Sequence, residues 1–203
     1  MSKKPIIVFE GIEGSGKSLH LSFVAKYLKK KKISFIKIRE PGGSLNSEKI
    51  RRLMLNNKSN FNKDTDLLLF LSSRSENISL IKKNYNKKII LVDRFTDSTI
   101  AYQHYGMNIN LKLINLLNKY LLKDIKIDFT FLNTVKIKNL FFRLKKRKSL
   151  NRYDKFNSAF YNKVQKGFIK LASSKKKSYM IINSNLEIEK NKKLILDKIN
   201  KLI

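Results

Sequence analysis

The segment Pro5-Ile-Ile-Val-Phe-Glu10-Gly11-Ile-Glu-Gly-Ser-Gly16-Lys17-Ser18 decides the fold predicted for this chain. Its first six residues form an apolar run of strand length, and residues 11–18 fit the pattern G-x-x-x-x-G-K-[ST]. A segment with helical periodicity follows, from about residue 17 to residue 32. A strand, a glycine-rich loop and a helix in this order are typical of a P-loop, whose backbone N–H groups surround phosphates. The sequence therefore predicts a nucleoside triphosphate site.

Each residue type in the predicted P-loop has its own chemical role. Its three glycines let the backbone curl, so that successive N–H groups face the phosphates. Lys17 places a positive charge at the β- and γ-phosphate oxygens, and Ser18 offers a hydroxyl to Mg²⁺. Glu13 lies inside the loop, where a carboxylate repels phosphates unless it contacts an acceptor hydroxyl or metal-bound water. The alternative for Glu13 is a solvent-facing loop position.

The rest of the chain alternates between short apolar runs and segments with helical periodicity. Strands that alternate with helices predict an α/β fold, here a five-stranded parallel sheet flanked by helices on both faces. No repeat and no Pro/Ser-rich linker interrupts residues 1–203, so we expect a single P-loop domain. The predicted strands are residues 5–10, 34–39, 88–93, 128–133 and 179–183.

The composition excludes several classes of protein. With 42% apolar and 10% aromatic residues, the 203-residue chain can bury a sizeable core, which argues against intrinsic disorder. No apolar run approaches the length of a membrane span, and cysteine is absent, which excludes disulfides and thiolate metal sites. Residues 1–5 are basic but lack the apolar region of a signal peptide. We therefore expect a cytoplasmic protein without a membrane partner.

The formal net charge of +30 has two interpretations. A basic surface is typical of nucleic-acid binding proteins. However, the chain contains 37 lysines and only 8 arginines, together with many asparagines, and Lys, Asn and Ile share A- and T-rich codons. A biased genome composition therefore explains the charge as well as a nucleic-acid partner does.

Two further segments lie at predicted strand ends, where open α/β sheets bind ligands. Arg39-Glu-Pro-Gly-Gly-Ser44 follows the second strand, and its arginine beside two glycines suits a second phosphoryl group. Asp93-Arg94 ends the third strand, where Asp93 can hold Mg²⁺ through water and Arg94 can reach a transferring group. Taken alone, the first segment is also compatible with an ordinary turn and the second with a surface ion pair.

Together these segments resemble the thymidylate kinase family along nearly the whole chain. The P-loop alone is shared by a large superfamily, whereas Arg-Glu-Pro-Gly-Gly and Asp-Arg-Phe…Ala-Tyr-Gln are much more specific. The matching pieces, in the order of the family, are Gly11–Ser18, Arg39-Glu-Pro-Gly-Gly-Ser44, Leu68-Leu-Phe70-x3-Arg74, Asp93-Arg94-Phe95-x2-Ser98-x2-Ala-Tyr-Gln103 and the basic stretch Arg143–Asp154.

The resemblance implies transfer of the γ-phosphoryl group of ATP to dTMP, with Mg²⁺, in dTTP biosynthesis. A monophosphate acceptor is largely ionised at neutral pH, since its second pKa is about 6, so the reaction needs no general base. Catalysis then depends on positioning and on cations around the transferring group. His20 and His104 accordingly need no catalytic role.

The resemblance also assigns residues to roles. Phe70 is expected to stack on thymine and Arg74 to hydrogen-bond its edge; on a helix, positions four apart share a face. For Phe70 the alternative is a core position, and for Arg74 it is a side chain that reaches solvent. The dTMP site is expected to comprise Glu13, Arg39, Phe70, Arg74, Arg94, Ser98, Tyr102 and Gln103. The ATP site is expected to comprise Gly11, Ile12, Glu13, Gly14, Ser15, Gly16, Lys17, Ser18 and Arg143, with Mg²⁺ at Ser18 and, through water, at Asp93.

The P-loop contains no basic residue between Gly11 and Gly16, so the resemblance implies that a mobile lid supplies cations. The lid is expected at about residues 143–156, as a small helical segment that excludes water when it closes. A basic, solvated helix end is the alternative. Lys17, Arg94, Arg147 and Arg152 are the expected catalytic residues.

The sequence departs from the family at several positions, among them Asn133, His104 and Asn151. Arg51 occupies a family-like position, and a solvated helix face explains it equally well. The resemblance further implies the strand order 2-3-1-4-5 and a homodimer without a specific nucleic-acid partner. The remaining alternatives are another nucleotide kinase of this fold, a basic nucleic-acid-binding NTPase and a weakly active kinase.

Overall fold

The five apolar runs form the strands of one sheet, as the sequence predicted. In the computed structural model, which describes residues 4–203, all strands are parallel and their order is β2-β3-β1-β4-β5. The basic N-terminal residues 1–3, for which no signal peptide was expected, lie outside the described residues. The strands are Ile6–Glu10 (β1), Phe35–Arg39 (β2), Ile89–Asp93 (β3), Phe129–Thr134 (β4) and Tyr179–Asn183 (β5).

Eight helical segments connect and follow the strands in the described part of the chain. None of the helices over residues 4–203 is both long and apolar enough to span a membrane. Two short 3₁₀ turns, Arg152–Lys155 and Lys176–Ser178, complete the structure. The helices are Lys17–Lys30 (α1), Leu45–Leu55 (α2), Lys63–Asn84 (α3), Thr96–Thr99 continuing as a π-helix over Ile100–Gly106 (α4), Leu111–Leu122 (α5), Ile137–Lys145 (α6), Ser158–Ser174 (α7) and Ile188–Asn200 (α8).

The central strand β1 explains why the sheet is covered on both faces. Every β1 residue is buried, and successive side chains of a strand point to opposite faces. Ile7 and Phe9 pack with α1 and α8, whereas Ile6 and Val8 pack with the last turns of α3. Burial of each such side chain stabilises the fold by roughly 1.5–3 kcal/mol, so this continuous apolar run specifies a doubly covered parallel strand.

The register brings the chemically important strand ends to one edge. Arg39 at the end of β2 is aligned with Asp93 at the end of β3, and Asp93 is aligned with Phe9, the residue before Glu10. The P-loop follows β1 at the same edge. The parallel register thus collects residues that are far apart in sequence.

Two segments near the strand ends depart from regular α-helix. The helix after β3 continues as a π-helix over Ile100–Gly106, a form that is frequent at functional sites, and residues 107–110 separate it from α5. The expected lid at 143–156 contains the last residues of α6, a non-helical stretch and the turn Arg152–Lys155. It is therefore less helical than expected.

Candidate active site

Two clefts share Lys17, Ser18 and Arg147 in their walls. The first cleft, which we call the acceptor cleft, also contains most of the residues predicted for dTMP: Glu13, Arg39, Phe70, Arg94, Ser98, Tyr102 and Gln103. The second, which we call the donor cleft, contains P-loop residues and the segment after β5: Gly14, Gly16, Leu19, His20, Arg143, Ser184, Leu186, Ile188 and Asn191.

The P-loop conformation depends on its glycines. Gly11 has a φ of 141°, and a Cβ there would collide with the backbone carbonyl of Asn133 on β4. Gly16, with a φ of 86°, precedes the first residue of α1, and the N-terminal end of that helix lines the donor cleft with Gly16, Lys17 and Ser18. Ile12 packs in the core beside Leu132 and Leu140, so only its backbone is available to a nucleotide.

Lys17 begins α1 and is buried, with 8% of its surface exposed. Burial, followed by repulsion from the guanidinium of Arg94, lowers its pKa to about 8. A phosphate bound beside Lys17 would compensate for the hydration that the amine loses on burial, and it would favour the charged form of the amine. This lysine is therefore arranged for an anionic ligand.

Ser18 and Asp93 form a pair of oxygen ligands. The Ser18 hydroxyl donates to Asp93 Oδ2 over 2.7 Å, while the buried Asp93 Oδ1 has no hydrogen-bond partner among residues 4–203. Hydroxyl and carboxylate oxygens are suitable ligands for Mg²⁺, which usually retains several waters. The described residues contain no cluster of three His, Cys, Asp or Glu side chains, so this pair fits a metal that is also held by phosphates and water.

Glu13 holds Arg94 in the acceptor cleft. Its Oε1 accepts from Arg94 Nη2 over 2.8 Å, its Oε2 accepts from the Tyr102 hydroxyl, and Arg94 Nη1 also donates to the carbonyl of Gly11 over 2.8 Å. Arg94 has a φ of 66°, an uncommon conformation for a residue with a side chain. The loop carboxylate thus orients a cation, and it does so in the acceptor cleft, away from the predicted ATP contacts.

Two more guanidinium groups line the acceptor cleft beside the Gly42-Gly43 turn. Arg39 is about half exposed and forms two hydrogen bonds with Glu48, of 3.0 and 2.8 Å. Arg51 donates to the Pro41 carbonyl over 2.6 Å, and burial, followed by the neighbouring Arg39, lowers its pKa. Arg51, which the sequence left ambiguous, therefore lies inside the site.

The apolar wall of the acceptor cleft suits a planar base. Phe70 of α3 lines it, with the ring of Tyr153 edge-on at 5.7 Å between centroids. Gln103 is 1% exposed, and neither its amide nitrogen nor its amide oxygen has a hydrogen-bond partner among residues 4–203. An amide that is both donor and acceptor is complementary to a pyrimidine edge.

Arg74 does not line either cleft, unlike its helix neighbour Phe70. Its guanidinium is 1% exposed and forms an ion pair with Glu40, at 2.7 Å, and donates to Asn118 and Thr99, at 2.5 and 2.9 Å. A buried guanidinium is costly without polar partners, and in the structure these are the carboxylate of Glu40 and two neutral side chains. The predicted contact with a base remains a prediction.

The donor cleft is built around Arg143. This side chain donates to the carbonyls of Gly14 and Ser184, over 2.7 and 2.8 Å, and so connects the P-loop to the segment after β5. His20 lines the cleft, and its Nδ1 is paired with the side-chain amide of Asn133 at 2.7 Å. The departure at Asn133 is therefore part of a buried network.

The two lid arginines have different surroundings. Arg147 lies where the clefts meet and is paired with Asp154 over 2.6 Å. Arg152 lines neither cleft, because its guanidinium forms an ion pair with Asp66 of α3 and donates to the Met54 carbonyl. This geometry supports a site role for Arg147 and gives no support to the catalytic role predicted for Arg152.

Sequence reasoning gave no site role to several residues of the clefts. Tyr153 and Asn151, which belong to the expected lid, line the acceptor cleft, and Asn191 lines the donor cleft. Asn191 is buried, and its Oδ1 has no hydrogen-bond partner in the described part of the chain. No motif distinguishes Asn191 from other helical residues, because tertiary packing decides which neighbours a helical side chain meets.

Comparisons with known proteins identify the family of the chain. A sequence model described as thymidylate kinase matches residues 9–195. A thymidylate kinase from Thermosipho africanus (strain TCF52B) is 40% identical over 185 residues, which cover 90% of this chain and 91% of that protein. A thymidylate kinase from Acholeplasma laidlawii (strain PG-8A) is 35% identical over 198 residues, covering 96% and 98%.

The fold agrees as well. The crystal structure of thymidylate kinase from Ehrlichia chaffeensis is similar, with a TM-score of 0.77 and 29% identity over 98% of this chain and 99% of that one. The resemblance drawn from five sequence segments is thereby confirmed. A family match over most of the length, close relatives and the same fold lead to one conclusion: the chain belongs to the thymidylate kinase family.

Proposed function

We propose that the two clefts of this dTMP kinase divide the substrates, with ATP in the donor cleft and dTMP in the acceptor cleft. ATP is the phosphoryl donor of the family, and dTMP is the acceptor. The observation that carries the proposal is the shared wall: Lys17, Ser18 and Arg147 belong to both clefts. A phosphoryl group that passes from one nucleotide to the other would cross this point.

In the donor cleft, the P-loop and the N-terminus of α1 would hold the phosphates of ATP. Gly14, Gly16, Lys17 and Ser18 face this cleft, while Gly11, Ile12 and Ser15 act through the backbone shape of the loop. Arg143 and Leu186 are the candidates for contact with the nucleoside. Glu13 contributes to the acceptor side instead.

In the acceptor cleft, Arg39, Arg51 and Arg94 would bind the dTMP phosphate. Arg51 supports this most directly, because its guanidinium is partly buried and close to that of Arg39. A phosphate bound to both guanidinium groups would offset their mutual repulsion. The thymine would lie on Phe70, with its polar edge toward Gln103. Ser98 and Tyr102 complete the nucleoside side of the cleft.

The chemical step is then an in-line transfer. An oxygen of the dTMP phosphate forms a bond to the γ-phosphorus of ATP, the bond from that phosphorus to the β–γ bridging oxygen breaks, and the products are dTDP and ADP. The attacking oxygen is already ionised, so the chain supplies no general base. Lys17, Arg94 and Arg147 would neutralise charge on the transferring group.

Mg²⁺ would be held by Ser18 directly and by Asp93 through water. The unpartnered Asp93 Oδ1 and the short contact between the two side chains support this assignment. Bound at the phosphates, the ion would supply positive charge at the β- and γ-phosphate oxygens. Asp93 itself keeps the Ser18 hydroxyl oriented.

Three further assignments belong to this proposal: one domain over residues 1–203, a homodimer and a cytoplasmic location. The dimer is supported by α5, where Leu113, Leu116 and Tyr120 form an exposed apolar stripe at helical spacing. The cytoplasmic location follows the expectation from a cysteine-free sequence. Fractionation of the native cells tests it.

The assignment of the acceptor cleft is tested by coupled ADP release with Mg-ATP and a panel of nucleoside monophosphates, with and without DNA. We expect the highest kcat/KM with dTMP and no stimulation by DNA. The Phe70→Ala variant should raise KM for dTMP with little change in KM for ATP. Equal turnover of other monophosphates would favour a different nucleotide kinase, and DNA-stimulated ATP hydrolysis would favour a nucleic-acid-dependent NTPase.

A further inference from the structure

Asp66 lies in the first turn of α3, one helical turn before Phe70, and is 3% exposed. Both of its oxygens are used by the lid: Oδ1 accepts from Arg152, and Oδ2 accepts from the Tyr153 hydroxyl over 3.0 Å. Because residues four apart lie on the same face of a helix, the lid contact and the aromatic wall of the acceptor cleft share one surface of α3.

Arg152 extends this contact beyond Asp66. Its Nε donates to the Met54 carbonyl near the end of α2 over 2.5 Å, and its guanidinium stacks over the rings of Phe61 and Tyr153, at 5.3 and 4.7 Å. A planar guanidinium can make all these contacts at once, which a lysine cannot. The lid segment is therefore attached to two helices by one side chain.

Tyr153 connects the attachment to the acceptor cleft. The same residue that donates to Asp66 places its ring against Phe70 and lines the cleft. Burial, followed by the nearby Asp66 carboxylate, raises the pKa of Tyr153, so its hydroxyl remains a donor.

The turn Arg152–Lys155 also connects Asp66 to Arg147. Asp154, next to Tyr153 in this turn, accepts from the backbone and side-chain nitrogens of Asn151, over 3.0 and 2.6 Å, and is paired with Arg147. The turn is thus one hydrogen-bonded unit. It contacts Asp66 through Arg152 and Tyr153, and it contacts Arg147, at the point where the clefts meet, through Asp154.

We propose that Asp66 is a positioning residue for phosphoryl transfer. By binding the lid turn to α3, it keeps the Tyr153 ring against Phe70, and it keeps the Arg147 guanidinium at the point where the two clefts meet. Asp66 touches neither substrate and acts through these two residues. The inference rests on the proposed acceptor and donor clefts. In this proposal Arg152 attaches the lid to α3, and Arg147 is the lid residue that neutralises charge on the transferring group.

The test uses Asp66→Asn, with Asp64→Asn as the matched control, since Asp64 carries the same charge in the same turn but is exposed. Hydrogen exchange of residues 150–156 in the substrate-free protein should become faster in Asp66→Asn and stay unchanged in Asp64→Asn. This readout does not depend on which cleft binds dTMP. Unchanged exchange in Asp66→Asn would overturn the proposal.

Kinetics test the connection to Arg147. Asp66→Asn should lower kcat by about 10²-fold, the effect of a misplaced catalytic group, with KM for ATP nearly unchanged. In an Arg147→Ala background the same substitution should have little further effect on kcat, because the group that it positions is absent. An equal loss of kcat in both backgrounds would refute the positioning role.

Arg152→Gln provides a second variant if Asp66→Asn does not fold. It removes the same ion pair from the lid side and should give the same faster exchange and the same dependence on Arg147. If Phe70→Ala leaves KM for dTMP unchanged while both exchange results hold, the acceptor assignment fails and the lid attachment stands.

Discussion

At the level of single residues, carboxylates orient arginines of the clefts. Within residues 4–203, Arg39, Arg94 and Arg147 line a cleft, and each forms an ion pair with a Glu or Asp. Such pairs fix the plane of a guanidinium before a substrate arrives, which reduces the conformational entropy lost when a phosphate binds. The pairing explains why the few arginines carry more information about function than the many lysines.

Arg147 is the side chain whose loss should affect chemistry most. Arg147→Ala should lower kcat by about 10³-fold or more, the magnitude known for arginines that stabilise phosphoryl transfer, with small changes in both KM values. Arg147→Lys should recover part of this loss. Arg52→Ala, an exposed arginine at the end of α2, serves as the control in the same ADP-release assay. A loss confined to KM for ATP would contradict a transition-state role.

Lys17 should make catalysis sensitive to alkaline pH. Its pKa in the ligand-free protein is about 8, so the positive charge is present below pH 8 and is lost as the pH rises through that value. We expect kcat/KM for ATP, which reports the free enzyme, to fall above about pH 8. The kcat profile should stay flat to higher pH, because bound phosphates favour the charged amine.

Lys17→Arg is the control for this titration. It should be slower at every pH but should show no fall between pH 7 and 9.5, since a guanidinium stays protonated throughout that range. A wild-type kcat/KM that is independent of pH up to 9.5 would contradict the assignment.

At the level of elements, the helix that carries Ser98, Tyr102 and Gln103 begins without a cap from its own N-terminal side chain. Glu10, the last residue of β1, replaces that cap: its carboxylate accepts from the backbone N–H groups of Phe95 and Ser98, over 2.8 and 3.2 Å, and from the Ser98 hydroxyl over 2.5 Å. The strand end thereby fixes the orientation of the segment that carries Arg94.

Glu10 should also make folding depend on pH. Burial, followed by repulsion from Asp97, raises its pKa from 4.5 to about 7. Because the folded state binds this proton more tightly than the unfolded state, its stabilising contribution is full below pH 4.5 and is lost as the pH rises through 7. Relative to Glu10→Gln, the wild type should lose roughly 2 kcal/mol of unfolding free energy between pH 5 and 8.

Urea unfolding of both proteins at the two pH values measures this difference. Asp64→Asn, an exposed carboxylate variant, should show no such change relative to wild type. Equal pH dependence of wild type and Glu10→Gln would mean that Glu10 does not titrate in this range.

At the level of the whole molecule, the chain has a strongly basic surface, yet its substrate clefts depend on a small set of arginines. The charge of +30 therefore does not require a specific nucleic-acid partner. The exposed apolar stripe on α5 is the more informative surface feature, since Leu116 and Tyr120 are 64% and 71% exposed. Two copies joined through this stripe would bury it.

The proposed dimer is tested by Leu116→Glu. Sedimentation should change from a dimer to the 23.8 kDa monomer, because a carboxylate buried at an apolar interface is costly. Leu194→Glu on α8, another exposed leucine, should leave the mass unchanged. Dimers that persist in Leu116→Glu would locate the interface elsewhere, and a monomeric wild type would exclude a stable dimer.

The sequence by itself determined the architecture. Five apolar runs separated by helical periodicity specify a parallel sheet, because a strand buried on both faces must be apolar throughout its length. The P-loop was identified as well, since its glycines, lysine and serine are contiguous and each has a local chemical role. The strand-end residues Arg39 and Asp93 followed from the rule that parallel strands end at the same edge.

Only the tertiary structure decided how each side chain is used. Phe70 and Arg74 share a helical period, yet Phe70 faces the acceptor cleft while Arg74 turns to Glu40. Arg147 and Arg152 lie in one basic segment, yet one reaches the clefts and the other reaches Asp66. Periodicity fixes which residues share a face, but the partner of a charged group depends on which distant carboxylate the fold brings within hydrogen-bonding distance.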